Sequence, residues 1–158
     1  MNFDQAFEKL LGHEGDFVDH PSDPGGATRW GVTEAVARKH GYTGDMRQLP
    51  VSVAKAIYRA DYWDAVRADD LPAEIRYVVF DGAVNSGVGQ SVRWIQRALD
   101  VADDGRIGPV TLAAARAADG KSLKAAILAQ RLRFMTRLSN WPSFSRGWAV
   151  RIADLMEG

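Results

Sequence analysis

Residues 13–31 read HEGDFVDHPSDPGGATRWG. The stretch holds four acidic side chains, two histidines, two prolines and the glycines Gly15, Gly25, Gly26 and Gly31. It is too polar for a core strand and too rich in turn formers for a helix, so it predicts extended chain with turns, or a small hairpin. What precedes it is the opposite. Behind Asn2, a suitable N-cap, Ala6, Phe7, Leu10 and Leu11 recur at helical spacing and give one apolar stripe, and Gly12 and Gly15 stop that helix. The chain thus opens with an amphipathic helix ending beside a carboxylate, followed by a polar ribbon.

Downstream the pattern is helical. Thr33 caps EAVARKHG, which Gly41 ends. VSVAKAIYRADYWDAV from Val51, AEIRYVVFDGAVNSG from Ala73 and QSVRWIQRALDV from Gln90 carry apolar residues three and four apart and predict three more helices. After the turn DDGRIG, Pro109 stands where a helix begins, and VTLAAARAADG follows it. SLKAAILAQRLRFMTRLS is a long amphipathic helix, and SFSRGWAVRIADLME closes the chain after a break at Trp141-Pro142. The sum is a mainly α fold, a helical bundle with a short irregular or β-hairpin segment after its first helix. There is no long repeat and no low-complexity linker. The weakest boundary, at Gly87 to Gln90, separates residues 1–90 from 91–158. The second part has apolar residues on every helix, among them Trp94, Ile95, Leu99, Ile127, Phe134 and Trp148, which predicts that it packs on the first as one globule.

Composition narrows the function. A chain of 158 residues that is 46% hydrophobic supports one real core. Twenty basic and twenty acidic side chains give a net charge of zero, so no whole-molecule attraction to nucleic acid or anionic lipid is expected. Cysteine is absent, which excludes disulfide scaffolds, thiolate metal sites and cysteine nucleophiles. The N-terminus MNFDQAFEKLLGHEG has no basic n-region or apolar run of signal-peptide length, and nothing downstream approaches a membrane span. The expectation is a monomer made in the cytoplasm without a signal peptide and without stable membrane insertion.

The chemistry centres on Glu14. A carboxylate at the negative end of a helix dipole is disfavoured by about 0.3–1 kcal/mol, so a glutamate kept there implies a task. At the lip of an apolar core it is desolvated on one side and its pKa rises, as a general acid near neutral pH requires. Asp23 follows after eight intervening residues and Thr28 after four more. A carboxylate and a hydroxyl so placed suit the holding of a water, whereas the bland reading of PSDPGG is an ordinary turn capped by Asp23. Asp19 is the other carboxylate able to return across a cleft.

HEGDFVDHPSDPGGATRWGVT resembles the N-terminal signature of glycoside hydrolase family 108, the lysozyme-like N-acetylmuramidases of phage endolysins and bacterial secretion-support proteins. Asp16 and Phe17 stand where a second glycine and a tyrosine are common, and Arg29 precedes Trp30. YWDAV at 62–66 and FDGAVNSG at 80–87 resemble later blocks of the family, and DDGRIGPVTLAA and RLRFMTRL resemble the predicted peptidoglycan-binding region that follows in those proteins. The resemblance implies a lysozyme-like fold with residues 1–90 as its catalytic region and 91–158 as the peptidoglycan-binding region. It implies Glu14 as the catalytic acid, and its Glu, Asp, Thr order is similar to that of phage-type lysozymes. It also implies hydrolysis of the β-1,4 bond from N-acetylmuramic acid to N-acetylglucosamine in glycan strands, without metal or organic cofactor, in the periplasm or wall after export by a holin or secretion system.

Sugar rings bind by stacking on aromatic planes. Trp30 and Tyr62 are the better expected platforms; Trp63 is a further candidate, although it suits the core as readily as Tyr58 does. Asp81 and Asn85, four apart on one helical face, are expected to hydrogen-bond an N-acetyl group or a sugar hydroxyl, although Asp81 equally suits an arginine partner. Arg131, Arg133 and Arg137 read as a solvated face or a contact for anionic wall polymer. A zinc site from His13, His20, Asp19 and Asp23 lacks any paired-histidine helix, and DDGRIG lacks the ligand spacing of a calcium loop. Two further readings stay open: a lytic transglycosylase using the same glutamate, and a silent peptidoglycan-binding protein assisting secretion.

Overall fold

The computed structural model describes residues 1–12, 17–19 and 26–158. It divides into two compact units, Met1–Asp64 and Ala65–Gly158. Among the described residues the fold is mainly α, with eight helices and one two-stranded antiparallel sheet.

The first unit opens with a capping box. Asn2 Oδ1 accepts from the Gln5 amide and Gln5 Oε1 accepts from the Asn2 amide, each at 3.0 Å, so two orphan donors of α1 (Phe3–Leu11) are satisfied. The helix ends at Leu11, with Gly12 in right-handed conformation as its C-cap. Phe3, Ala6, Phe7 and Leu10 are buried. Phe3 meets Trp63 edge to face with centroids 5.6 Å apart, and Phe7 meets Tyr58 at 5.5 Å. A Lys55–Asp4 ion pair of 2.8 Å lies outside this aromatic core.

From residue 26 on, where the ribbon is described again, the chain forms a short hairpin. Strands β1 (Thr28–Arg29) and β2 (Val32–Thr33) pair in antiparallel register, Thr28 with Thr33 and Arg29 with Val32. The two connecting residues, Trp30 at φ 53° and Gly31 at φ 73°, are both left-handed, as a type I′ turn demands. Glycine adopts that conformation freely; tryptophan does not. Two bonds hold Trp30 there: its indole N–H donates to the Leu49 carbonyl, and its own carbonyl accepts from the Tyr58 hydroxyl, each at 2.9 Å. Val18 adds a bridge on the other side of Thr28, with N···O distances of 2.8 and 2.7 Å.

Thr33 caps α2 (Glu34–Lys39), as expected, its Oγ accepting from the Val36 amide at 3.3 Å. The long helix expected from Val51 is interrupted. Helix α3 (Val51–Tyr58) passes into a π turn at Arg59–Trp63, a one-residue widening that apolar spacing does not reveal.

The second unit is built on α4 (Ala73–Ser86), which packs against α5 (Val88–Ala98) and α7 (Gly120–Thr136). Gly82 permits the close approach of α5, since a β-carbon there would sit 2.9 Å from Ser91 Oγ, and that hydroxyl donates to the Val79 carbonyl at 2.7 Å. Of the boundary expected at residues 87–90, Gly87, at φ 90°, joins α4 to α5, and residues 88–90 form the first turn of α5.

The turn at 103–108 is organised by the buried Gln96. Its amide donates to Asp104 Oδ1 (2.9 Å), the Arg106 carbonyl (3.1 Å) and Thr111 Oγ1 (3.2 Å), while its Oε1 accepts from the Gly105 amide (2.9 Å). Pro109 then opens α6 (Pro109–Ala117). Helix α8 (Trp141–Glu157) starts earlier than expected. Pro142 does not break it, because a first-turn residue has no intrahelical acceptor for the N–H that proline lacks.

Candidate active site and polar core

Glu14 and Asp23, and with them His13, Asp16 and His20, lie outside the described residues. Thr28 is described. Its backbone amide and carbonyl are both spent on Val18, joining the chain on either side of the sequence that carries Asp23, and its side chain is half-buried. The hydroxyl lies 3.5 Å from the Gly26 carbonyl, at the long limit of a hydrogen bond, so it keeps capacity for a second partner.

Tyr58 links two of the expected sugar platforms. Its hydroxyl holds the Trp30 carbonyl and its ring lies 5.6 Å from that of half-buried Tyr62, on the π turn. Trp30 is half-buried, with its indole N–H committed to Leu49 and the Arg29 guanidinium 4.9 Å from its ring centroid. Arg29 in turn donates to the Arg47 carbonyl. Trp63 belongs elsewhere. It has no exposed surface and packs on Phe3, so it offers no face to a sugar. The widened turn sends Trp63 inward and leaves its neighbour Tyr62 at the surface.

In the second unit Asp81 is also internal. It is 1% exposed and receives two arginines, Arg131 from α7 (Nη1 to Oδ2, 2.6 Å) and Arg151 from α8 (Nη2 to Oδ1, 2.6 Å; Nε to Oδ1, 3.1 Å). A carboxylate so saturated does not bind a sugar hydroxyl. Asn85 is exposed and turns its amide back on the Asp81 carbonyl at 2.9 Å and on Asp81 Oδ2 at 3.3 Å. Arg131 departs from the solvated face read for it: it is 3% exposed and lies 5.8 Å from the Trp94 ring centroid, whereas Arg133 and Arg137 are exposed. One turn before Asp81, burial and the Asp81 charge push the Tyr77 phenol up to about 12. The signal that would have exposed this cluster is an aspartate inside the apolar run YVVFDGAV, because a charge there needs a buried counter-ion.

The glycosyl hydrolase 108 model matches residues 7–87, the segment that carries Glu14, Asp23, Thr28, Trp30 and Tyr62. The chain belongs to glycoside hydrolase family 108. A second model, a predicted peptidoglycan domain, matches residues 90–153. Among solved structures, one described as Brucella abortus SagA is similar at 34% identity, covering 98% of this chain and 91% of that one with a TM-score of 0.87. No match is found among curated proteins. This family 108 chain is therefore a glycosidase with peptidoglycan as its partner, a peptidoglycan hydrolase, and its fold is the lysozyme-like one expected. Among the described residues no helix is long and apolar enough to cross a membrane.

Proposed function

We propose that the chain is an N-acetylmuramidase that cleaves the β-1,4 bond from N-acetylmuramic acid to N-acetylglucosamine, with residues 1–90 carrying catalysis and 91–158 holding the wall. The match of the family 108 model across the ordered series Glu14, Asp23, Thr28 supports this reading most. Glu14 is the general acid that protonates the glycosidic oxygen. Asp23 and Thr28 hold the attacking water on the opposite face, so the anomeric configuration inverts. With the Thr28 backbone amide committed to Val18, its hydroxyl is the group that serves the water. Tyr62 and the face of Trp30 not covered by Arg29 flank the sugar. The chain works as a monomer, made in the cytoplasm and exported to the wall by a holin or a secretion system; holin or secretion genes beside its own distinguish phage lysis from wall remodelling.

The test is the full chain on purified sacculi. Glu14→Gln loses about 10² to 10⁴ in rate with unchanged thermal melting, and Asp23→Asn loses less, since Thr28 still orients the water. Early muropeptides bear α-anomeric reducing ends. Retained lysis in Glu14→Gln removes the acid assignment, β-anomers indicate a retaining mechanism, and 1,6-anhydro ends make the chain a transglycosylase. Binding of sacculi without cleavage by the wild type leaves a silent wall-binding protein.

A further inference from the structure

In the second unit, α8 carries Trp141, Phe144 and Trp148 three and four residues apart, which places them on one helical face. Phe144 is 53% exposed and its ring is stacked on Trp148 at 5.6 Å and 19°, while Trp141 lies 6.0 Å from Trp148. Gly147 flanks that face, one turn after Phe144. Glycine is unfavourable in a helix interior, and packing does not demand it here, because an added β-carbon would meet nothing within 4 Å. It leaves the backbone bare beside the stacked rings, as the close approach of a ligand requires.

Trp148 also walls a pocket of about 120 Å³, together with Asn85 and Ser86 at the end of α4 and with Met135 and Leu138. Arg131 and Arg151 line it too, and Asp81 holds both. Two neutral polar groups stand beside them. Asn85 commits its Nδ2 to Asp81 at 2.9 and 3.3 Å, which leaves Oδ1 as an acceptor, and the Ser86 hydroxyl makes no hydrogen bond to a described residue. An amide oxygen selects an N–H or O–H donor and disfavours an anion, the hydroxyl supplies a donor, and Met135, Leu138 and the indole supply an apolar wall. One donor, one acceptor and a methyl group are the features of an acetamido substituent. The pocket is well below the roughly 300–1,000 Å³ that encloses a whole ligand, so the ring bearing the substituent lies outside it. We propose that this face of the second unit binds an N-acetylhexosamine. Its acetamido N–H donates to Asn85 Oδ1, its carbonyl accepts from Ser86, its methyl lies against Met135 and Leu138, and its ring stacks on the Trp148–Phe144 platform. The site rests on peptidoglycan being the partner, and it makes the glycan strand, rather than the peptide stems, what the second unit reads.

NMR of the full chain, titrated with N,N′-diacetylchitobiose and separately with cellobiose, which has a hydroxyl in place of each acetamido group, tests the site. The acetylated disaccharide shifts the Asn85 side-chain amide, the Gly147 backbone amide and the Trp148 indole N–H. At these resonances cellobiose binds at least about tenfold more weakly, the loss expected for one hydrogen bond and one buried methyl group. Gly147→Gln retains or raises the melting temperature, because it replaces a glycine inside a helix, yet it covers the platform and weakens the disaccharide several-fold. Trp148→Ala abolishes binding there. Equal binding of the two disaccharides, shifts confined to other residues, no shift at millimolar probe, or wild-type affinity in Gly147→Gln each overturns the proposal. So does acetate or N-acetylalanine methylamide binding at these resonances as tightly as the disaccharide. Sacculus cleavage by the wild type is measured alongside. Cleavage without the three shifts discards the site and keeps the hydrolase, whereas the shifts without cleavage keep the site and discard the muramidase.

Discussion

Asp81 shows how a single side chain changes meaning between sequence and structure. In sequence it is a polar residue one helical turn from Asn85 that suits a sugar hydroxyl and an arginine partner equally. In the structure it is the counter-ion of Arg131 and Arg151, with 1% of its surface exposed. The partners are fifty and seventy residues away, beyond the reach of any periodicity argument. Asp81→Asn keeps the shape but leaves the buried Arg131 without its charge partner, and breaking such a pair costs about 3–5 kcal/mol. Chemical denaturation of the full chain should show that loss as a lower midpoint with an unchanged slope. Trp63 teaches the same point from the apolar side, because tryptophan looks alike in sequence whether it stacks on a sugar or on Phe3. Thr28 was legible as a chemical group but not as a constrained one, since its partner Val18 lies outside its own strand and no local pattern marks the bridge.

The elements were more legible than the residues, wherever the cause is local. Asn2, Thr33 and Pro109 announce helix starts because a cap or a fixed φ acts within one turn. The hairpin was readable as an option through its glycines, but the tryptophan in its turn was not, because the bonds from Leu49 and Tyr58 that hold it come from outside the segment. The π turn at Arg59–Trp63 leaves no mark on hydrophobic spacing. The hairpin carries its own prediction. Gly31 stands at φ 73°, where a β-carbon costs about 1–2 kcal/mol. Gly31→Ala should therefore lower thermal stability and reduce hydrolysis of sacculi more than an alanine at Gly108, which is not left-handed and whose added β-carbon meets nothing within 4 Å.

At the scale of the whole molecule, the compact units and the family matches divide the chain at different places. The family 108 match runs to residue 87, through α4. The second compact unit already begins at Ala65, and α4 packs within it on α5 and α7. A fragment of residues 1–90 therefore keeps α4 but strips it of those partners, exposing Ile75, Val79, Phe80 and Ala83, each without exposed surface in the intact chain. It should be poorly soluble and melt without cooperativity, whereas residues 65–158 should give one cooperative transition; a soluble, fully active 1–90 fragment would refute this. The span of the Asp81 ion pairs has a further consequence, for time rather than for equilibrium. Contacts such as Gln96 to Thr111 close a short loop and suit an early folding nucleus, whereas the link from Asp81 to Arg151 encloses seventy residues and its loop entropy must be met before it stabilises anything. The long link is then absent from the transition state. Removing it should leave the refolding rate of Arg151→Gln near that of the wild type and accelerate unfolding, so this clasp sets how long the folded second unit survives rather than how quickly it forms.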